Sequence, residues 1–143
     1  MIETILCAVD VNRLDEETHV LERAAALARL DDAQLDLITV LPDYGKSVVG
    51  GYFEEGHSAK SIAKAKELLT LFGEAALGAE MNAKVRHVVA MGAVYHEILM
   101  AADKDGADLI VLGAHRPDLS DYLLGPNAAR VVRHSRTSVY VVR

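Results

Sequence analysis

Two short stretches of this chain are apolar almost without interruption: Thr4-Ile5-Leu6-Cys7-Ala8-Val9 near its start, and Ala107 to Leu112 beyond its middle. A strand with one wetted face alternates apolar and polar side chains, so runs of this kind, without alternation, read as strands buried on both faces. Strands of that kind belong to parallel sheets, which need helices on either side and long crossovers between neighbours. The segments in between have the right character. After the first run, Asp15, Glu16 and Glu17 place negative charge in a first helical turn, and Val20, Leu21, Ala24, Leu27 and Ala28 recur at helical spacing.

The alternation continues to the end of the chain. Gln34 to Val40 is predicted as a second strand, bounded by Asp31-Asp32 and by Pro42, which cannot continue a central ladder. Pro42 to Gly56 carries four of the ten glycines and reads as a long irregular loop. Ser58 is placed as the cap of a helix running to about Leu77, with Ile62, Ala65, Leu68, Leu69 and Phe72 as its apolar stripe. Lys84 to Ala90 is a third strand and Val94 to Ala102 a short helix, followed by the second apolar run as the fourth strand. A loop from Gly113 to Gly125, a helix from Pro126 to His134 and a strand from Ser138 to Val142 complete the pattern. Strand and helix alternate without a hairpin signal, so the expectation is an α/β fold. Its five-stranded parallel sheet is doubly wound, ordered 3-2-1-4-5, with helices on both faces. At 143 residues one domain, 1–143, accounts for the whole chain.

Composition removes several function classes. The charge is −6, which disfavours bulk binding to nucleic acid or anionic membrane, and 5% aromatic residues with no Trp leave little for base stacking or a flavin clamp. A single cysteine, Cys7, excludes an intrachain disulfide and a cysteine metal cage. The chain opens without a basic leader, and no apolar run approaches the roughly 18 residues of a membrane span. A cytoplasmic protein without membrane insertion is expected. The six histidines have no metal-ligand spacing, and Walker, dinucleotide and nucleophile-elbow motifs are all missing.

In the predicted order the switch point falls between the first and fourth strands, where open sheets of this type bind ligands. The topology brings Ala8-Val9-Asp10 opposite Leu112-Gly113-Ala114-His115-Arg116, beside the helix start Gly125-Pro126-Asn127-Ala128. Gly113 allows close backbone approach, His115 and Arg116 offer donors, and a helix N-terminus favours an anion. Each feature also has an ordinary reading. Gly113 and Gly125 suit turns, Pro126 suits a helix start, Asp10 suits a cap, and Arg130 and Arg133 suit the last turn of a helix. Their convergence on one crevice is what points to a site.

The same residues carry a resemblance. Gly113-Ala114-His115-Arg116, Pro117 to Leu124, then Gly125-Pro126-Asn127 is similar to the Gly-x2-Gly-x9-Gly-(Ser/Thr) stretch of nucleotide-binding universal stress proteins. The likeness extends from Ile5-Leu6-Cys7-Ala8-Val9-Asp10 to the closing Ser138-Val139-Tyr140-Val141-Val142-Arg143. Within that family, Ala114-His115-Arg116-Pro117-Asp118, Tyr122-Leu123-Leu124-Gly125 and Val131-Val132-Arg133-His134 resemble the UspF-type subgroup. Three positions depart from the pattern: Arg116 replaces the second glycine, the spacer has eight residues, and Pro126 replaces the hydroxyl residue. Proline removes a hydroxyl and an N–H donor from a phosphate cradle, on the order of 0.5–3 kcal/mol, and a guanidinium can offset that.

The resemblance implies an adenine-nucleotide α-hydrolase-like fold and a homodimeric stress-response module that binds ATP, with Mg2+ as a companion of the phosphates, and has no strong catalysis. By position, Ala8, Val9 and Asp10 border adenine and ribose, Val40 walls the base, and Leu112 and Gly113 close the other side. His115, Arg116, Gly125, Pro126, Asn127 and Ala128 surround the phosphates. An alternative is a slow ATP-hydrolysing or adenylyl-transferring enzyme using Asp10 or His115 as base. A dimeric partner-binding module without nucleotide is another. Ser138 to Val142 is expected at a sheet edge, where an apolar strand needs a partner, so a twofold dimer through it is predicted. The loop from Pro42 to Gly56 lies on the same rim as the site, in place to close over a ligand.

Overall fold

Between Thr4 and Asp10 the chain carries no polar side chain, and both faces of this segment are used. In the computed structural model, which describes residues 1–42, 55–114 and 125–143, five strands make one sheet: β1 (Thr4–Ala8), β2 (Gln34–Leu41), β3 (Arg86–Met91), β4 (Leu109–Gly113) and β5 (Ser138–Val142). Their order is β3-β2-β1-β4-β5 and every neighbouring pair is parallel, as the sequence predicts. The helices are α1 (Leu14–Asp31), α2 (Glu55–Leu77), α3 (Ala79–Asn82), α4 (Val94–Asp105) and α5 (Gly125–His134).

Alternate side chains of the central strands feed two separate cores. Ile5, Cys7, Val9, Leu37 and Val111 pack with Val20, Leu21 and Ala24 of α1 and with Leu69 and Phe72 of α2. Leu6, Ala8, Ile38, Ile110 and Leu112 pack on the other face with Ile98 and Ala102 of α4 and Val131 of α5. Helix α1 keeps its three acids in the first turn and stops where Asp32 takes a left-handed φ of 52°, its N–H donating to the Ala28 carbonyl.

Several boundaries differ from the sequence reading. The α2 backbone is already helical at Glu55, three residues before Ser58, so Ser58 lies inside the helix and cannot cap it. Helix α3 was not anticipated, because a single turn is too short to show a period. The short helix predicted to end at Ala102 continues to Asp105. The predicted loop beyond Pro42 lies outside the described residues as far as position 54. Among the described residues, no helix is long and apolar enough to cross a membrane.

A polar clasp ties α2, α3 and β3 together. Buried Asn82 donates from Nδ2 to the Thr70 carbonyl at 3.0 Å, and its Oδ1 lies 2.8 Å from His87 Nε2. Because Oδ1 can only accept, Nε2 carries the ring proton. Burial, and then the charge of Lys66, hold the His87 imidazole below its ordinary pKa.

Candidate functional site at the carboxyl ends of the strands

All five strands run the same way, so their carboxyl ends share one rim, and the turn leaving β1 is fixed there by hydrogen bonds. The Val9 N–H donates to the Ile38 carbonyl at 3.0 Å, and the Val11 N–H donates to the buried Thr39 hydroxyl at 3.2 Å. Asp10 caps a 3-10 turn over Val11–Arg13: its Oδ1 accepts from the Asn12 N–H at 2.9 Å, and its carbonyl accepts from the Arg13 N–H at 3.0 Å. The Asp10 N–H donates to Glu17 Oε1 at 3.2 Å. Asp10 is therefore held in place by its own turn, by β2 and by α1, and one of its carboxylate oxygens is committed to the turn.

Four of the sequence-predicted residues meet on the α4/α5 side. Ala8 and Leu112 are register partners, and both are buried. Val40 lies two residues beyond Ile38, the β2 partner of Ala8, so it extends the same face past the end of β1. Ala128 of α5 packs on this layer, as does Val94 at the start of α4. Val9 belongs to the opposite core, beneath α1. Gly125 and Pro126 open α5, and the N–H groups of Asn127 and Ala128 fall in its first turn, where no intrahelical acceptor exists. That turn contains no acid. His115 and Arg116 lie outside the described residues.

Gly113 faces away from this apolar layer. A Cβ built on it would stand 3.0 Å from Glu17 Oε2 and 3.1 Å from Val20 Cγ2, so the space its missing side chain leaves is occupied by α1. Sequence reasoning took Glu17 only as a favourable first-turn charge and missed its place in the crevice between β1 and β4. The signal was present: position 17 falls on the same helical stripe as Val20, Leu21, Ala24 and Ala28. Burial, and then the negative charge of Glu17, push the Cys7 thiol far above its ordinary pKa, which makes Cys7 an unreactive core residue.

The arrangement is polarised. Asp10 and Glu17 make its β1 end acidic, suited to hydroxyl and amino donors, whereas the start of α5 presents amide donors suited to an anion. Among the described residues no group of three or more His, Cys, Asp or Glu could hold a metal ion. Arg130 is not in the last turn of α5, which carries Arg133 and His134; its guanidinium stands 5.4 Å from the Tyr95 ring centroid. An open cavity of about 400 Å³ lies beside α5. It is lined by Ala114, Ala128, Ala129, Val132, Arg133, Val141 and Arg143, and it touches the candidate site through Ala128 and the sheet edge through Val141 and Arg143.

A sequence profile described as the universal stress protein family matches residues 1–143. Universal stress protein G of Escherichia coli O157:H7 is 30% identical over 149 aligned positions covering 100% of both chains. The structure of hypothetical protein MJ0577 superposes with a TM-score of 0.78 at 24% identity, covering 99% of this chain and 96% of that one. A universal stress protein solved in complex with cAMP gives a TM-score of 0.69 at 21% identity, covering 99% and 97%.

Proposed function

The chain belongs to the universal stress protein family, and from that premise we propose that it is a regulatory module that binds an adenine nucleotide, ATP in the first instance, and has no strong catalysis. The observation that carries this reading is the apolar face formed by Ala8, Val40, Leu112 and Ala128 between an acidic rim and the first turn of α5. A purine fits such a face, its ribose hydroxyls and exocyclic amine find acceptors on the Asp10 side, and its phosphates meet the Asn127 and Ala128 amides. His115, Arg116 and Gly125 are assigned to the phosphates by sequence position. Mg2+ accompanies them without a dedicated protein ligand. The cAMP complex of a relative with this fold supports the choice of an adenine nucleotide.

The module works in the cytoplasm as a homodimer paired through β5. Among the described residues that strand lies at the sheet edge and pairs with β4 alone, with Tyr140 and, on neighbouring α5, Val132 left exposed. Nucleotide released by heating the purified protein and identified by chromatography, followed by calorimetric titration of ATP into the stripped sample, tests the ligand. ATP that copurifies and rebinds is the expected result; no released nucleotide and no heat at millimolar ATP overturns it. Light scattering at micromolar concentration is expected to give twice 15.5 kDa, and a species of 15.5 kDa alone refutes the dimer.

A further inference from the structure

Asp36 is a charged residue type in the middle of a core strand, fully buried and far from the rim just described. It shares the face of Ile38 and so looks toward α4. Its surroundings are few. On its own strand Gln34 Nε2 donates to Oδ1 at 3.2 Å. From β3, Arg86 Nη1 is 3.5 Å from Oδ2. From α4, Asp105 Oδ1 is 3.5 Å from the same Arg86 nitrogen, so the two carboxyl groups converge on one guanidinium. β1 contributes Leu6, the uncharged register partner. Among the described residues Asp36 Oδ2 has no hydrogen bond.

Two carboxyl groups, Asp36 fully buried and Asp105 largely so, thus crowd one guanidinium nitrogen, and two ionised carboxylates can only accept. The compensation available is weak. The Arg86 side chain is 58% exposed, so its charge is largely screened by water. Asp105 is the last residue of α4, where the helix dipole already opposes a second negative charge. One proton removes the conflict, because a carboxylic acid donates to a carboxylate and leaves a single anion under a single guanidinium.

We propose that Asp36 and Asp105 share one proton beneath Arg86, and that this proton latches the end of α4 to β2 and is released as the pH rises. Burial, then the contact with Asp105, hold the Asp36 carboxyl above the ordinary carboxylate range, against the opposing pull of Gln34 and Arg86. The unfolded chain gives up this proton near pH ~4, and the folded chain does so later. Between those points the folded state binds more protons, so stability falls with rising pH, by up to about tenfold in the folding equilibrium constant per pH unit.

The test uses the full chain: carboxyl 13C NMR of Asp36 against pH, denaturant unfolding over the same range, and hydrogen exchange across the end of α4. For the wild type, Asp36 titrates above the usual carboxylate range, with stability falling and exchange near Asp105 rising through the same transition. In Asp36→Asn the side-chain amide donates to Asp105 at every pH, so that slope flattens and exchange no longer tracks pH. Asp105→Asn, which offers a permanent donor to Asp36, moves the Asp36 titration downward and serves if Asp36→Asn fails to fold. An Asp36 carboxyl that titrates in the ordinary range, or parallel stability profiles for the wild type and Asp36→Asn, overturns the shared proton.

Discussion

Replacing a helix-interior glycine by alanine ordinarily stabilises a helix by about 1 kcal/mol. At Gly73 of α2 the opposite is expected. A Cβ there would overlap Asn82 Oδ1 and stand 2.9 Å from Asn82 Cγ and 3.3 Å from His87 Nε2. A carbon and an oxygen need about 3.3 Å, so Asn82 must retreat by roughly 1 Å. That displacement stretches the 2.8 Å contact with His87 and the 3.0 Å bond to the Thr70 carbonyl beyond useful length. Two bonds at about 1 kcal/mol each are lost, and a buried amide left without partners costs about 1–3 kcal/mol more. Set against the helix gain, Gly73→Ala should destabilise the protein by about 2–4 kcal/mol. Urea unfolding measures this directly. Combining Gly73→Ala with Asn82→Ala isolates the cause, because truncating the clashing amide should make the pair cost clearly less than the sum of the single changes. A Gly73→Ala protein as stable as the parent, or strict additivity in the double variant, would refute the clasp as the reason for glycine.

Two further outcomes follow from groups that accept backbone hydrogen bonds. Asp108 Oδ2 accepts from the Glu3 N–H at 2.8 Å and the Thr4 N–H at 3.1 Å, and these bonds, Glu3 first, hold its carboxyl below the ordinary range. Its contribution is present above about pH 4 and is lost as the pH falls through the lowered value, so Asp108→Asn should weaken the fold at neutral pH and flatten acid unfolding followed by circular dichroism. Equal acid profiles would exclude that role. Glu17→Ala frees the Asp10 N–H and should weaken ATP binding by about 1 kcal/mol, whereas Glu17→Gln keeps an acceptor and should bind nearly as the parent does. Calorimetry separates the two, and unchanged affinity in Glu17→Ala would remove Glu17 from the site.

The sheet order was legible because the evidence for it is redundant. Unbroken apolar runs such as Ile5 to Val9 call for cover on both faces, and right-handed crossovers leave few ways to supply it. The rim residues Ala8, Leu112 and Ala128 followed from topology, since parallel strands bring their carboxyl ends together, whereas Val40 was named only through the family resemblance. What the sequence hid was the use of charged residues at core positions. Reading for periodicity sets charges on the surface, so Glu17 on the α1 stripe was read only as a first-turn charge, and Asp36 inside β2 drew no reading at all. Gly113 shows a related ambiguity. Its lack of a side chain is plain in the sequence, but which neighbour uses the space depends on strand parity, and parity assigns it to α1 because Leu112 already faces α5.

Those two acids follow opposite electrostatic rules, and the difference lies in the donors each one meets. Glu17 Oε1 receives the Asp10 N–H, whereas Asp36 Oδ2 shares a wetted guanidinium with the Asp105 carboxyl. In the proposed function, the carboxylates at this end of the crevice would orient the nucleotide. A phosphate about 5 Å from one of these carboxylates would be repelled by about 3 kcal/mol at an effective dielectric of 20, more than a hundredfold in affinity. The β1 end is thereby closed to phosphate and open to hydroxyl and amino donors. Reversing the ligand would set its phosphates against Asp10 and Glu17 and leave the Asn127 and Ala128 amides without an anion, so one orientation satisfies both ends of the crevice and the other satisfies neither.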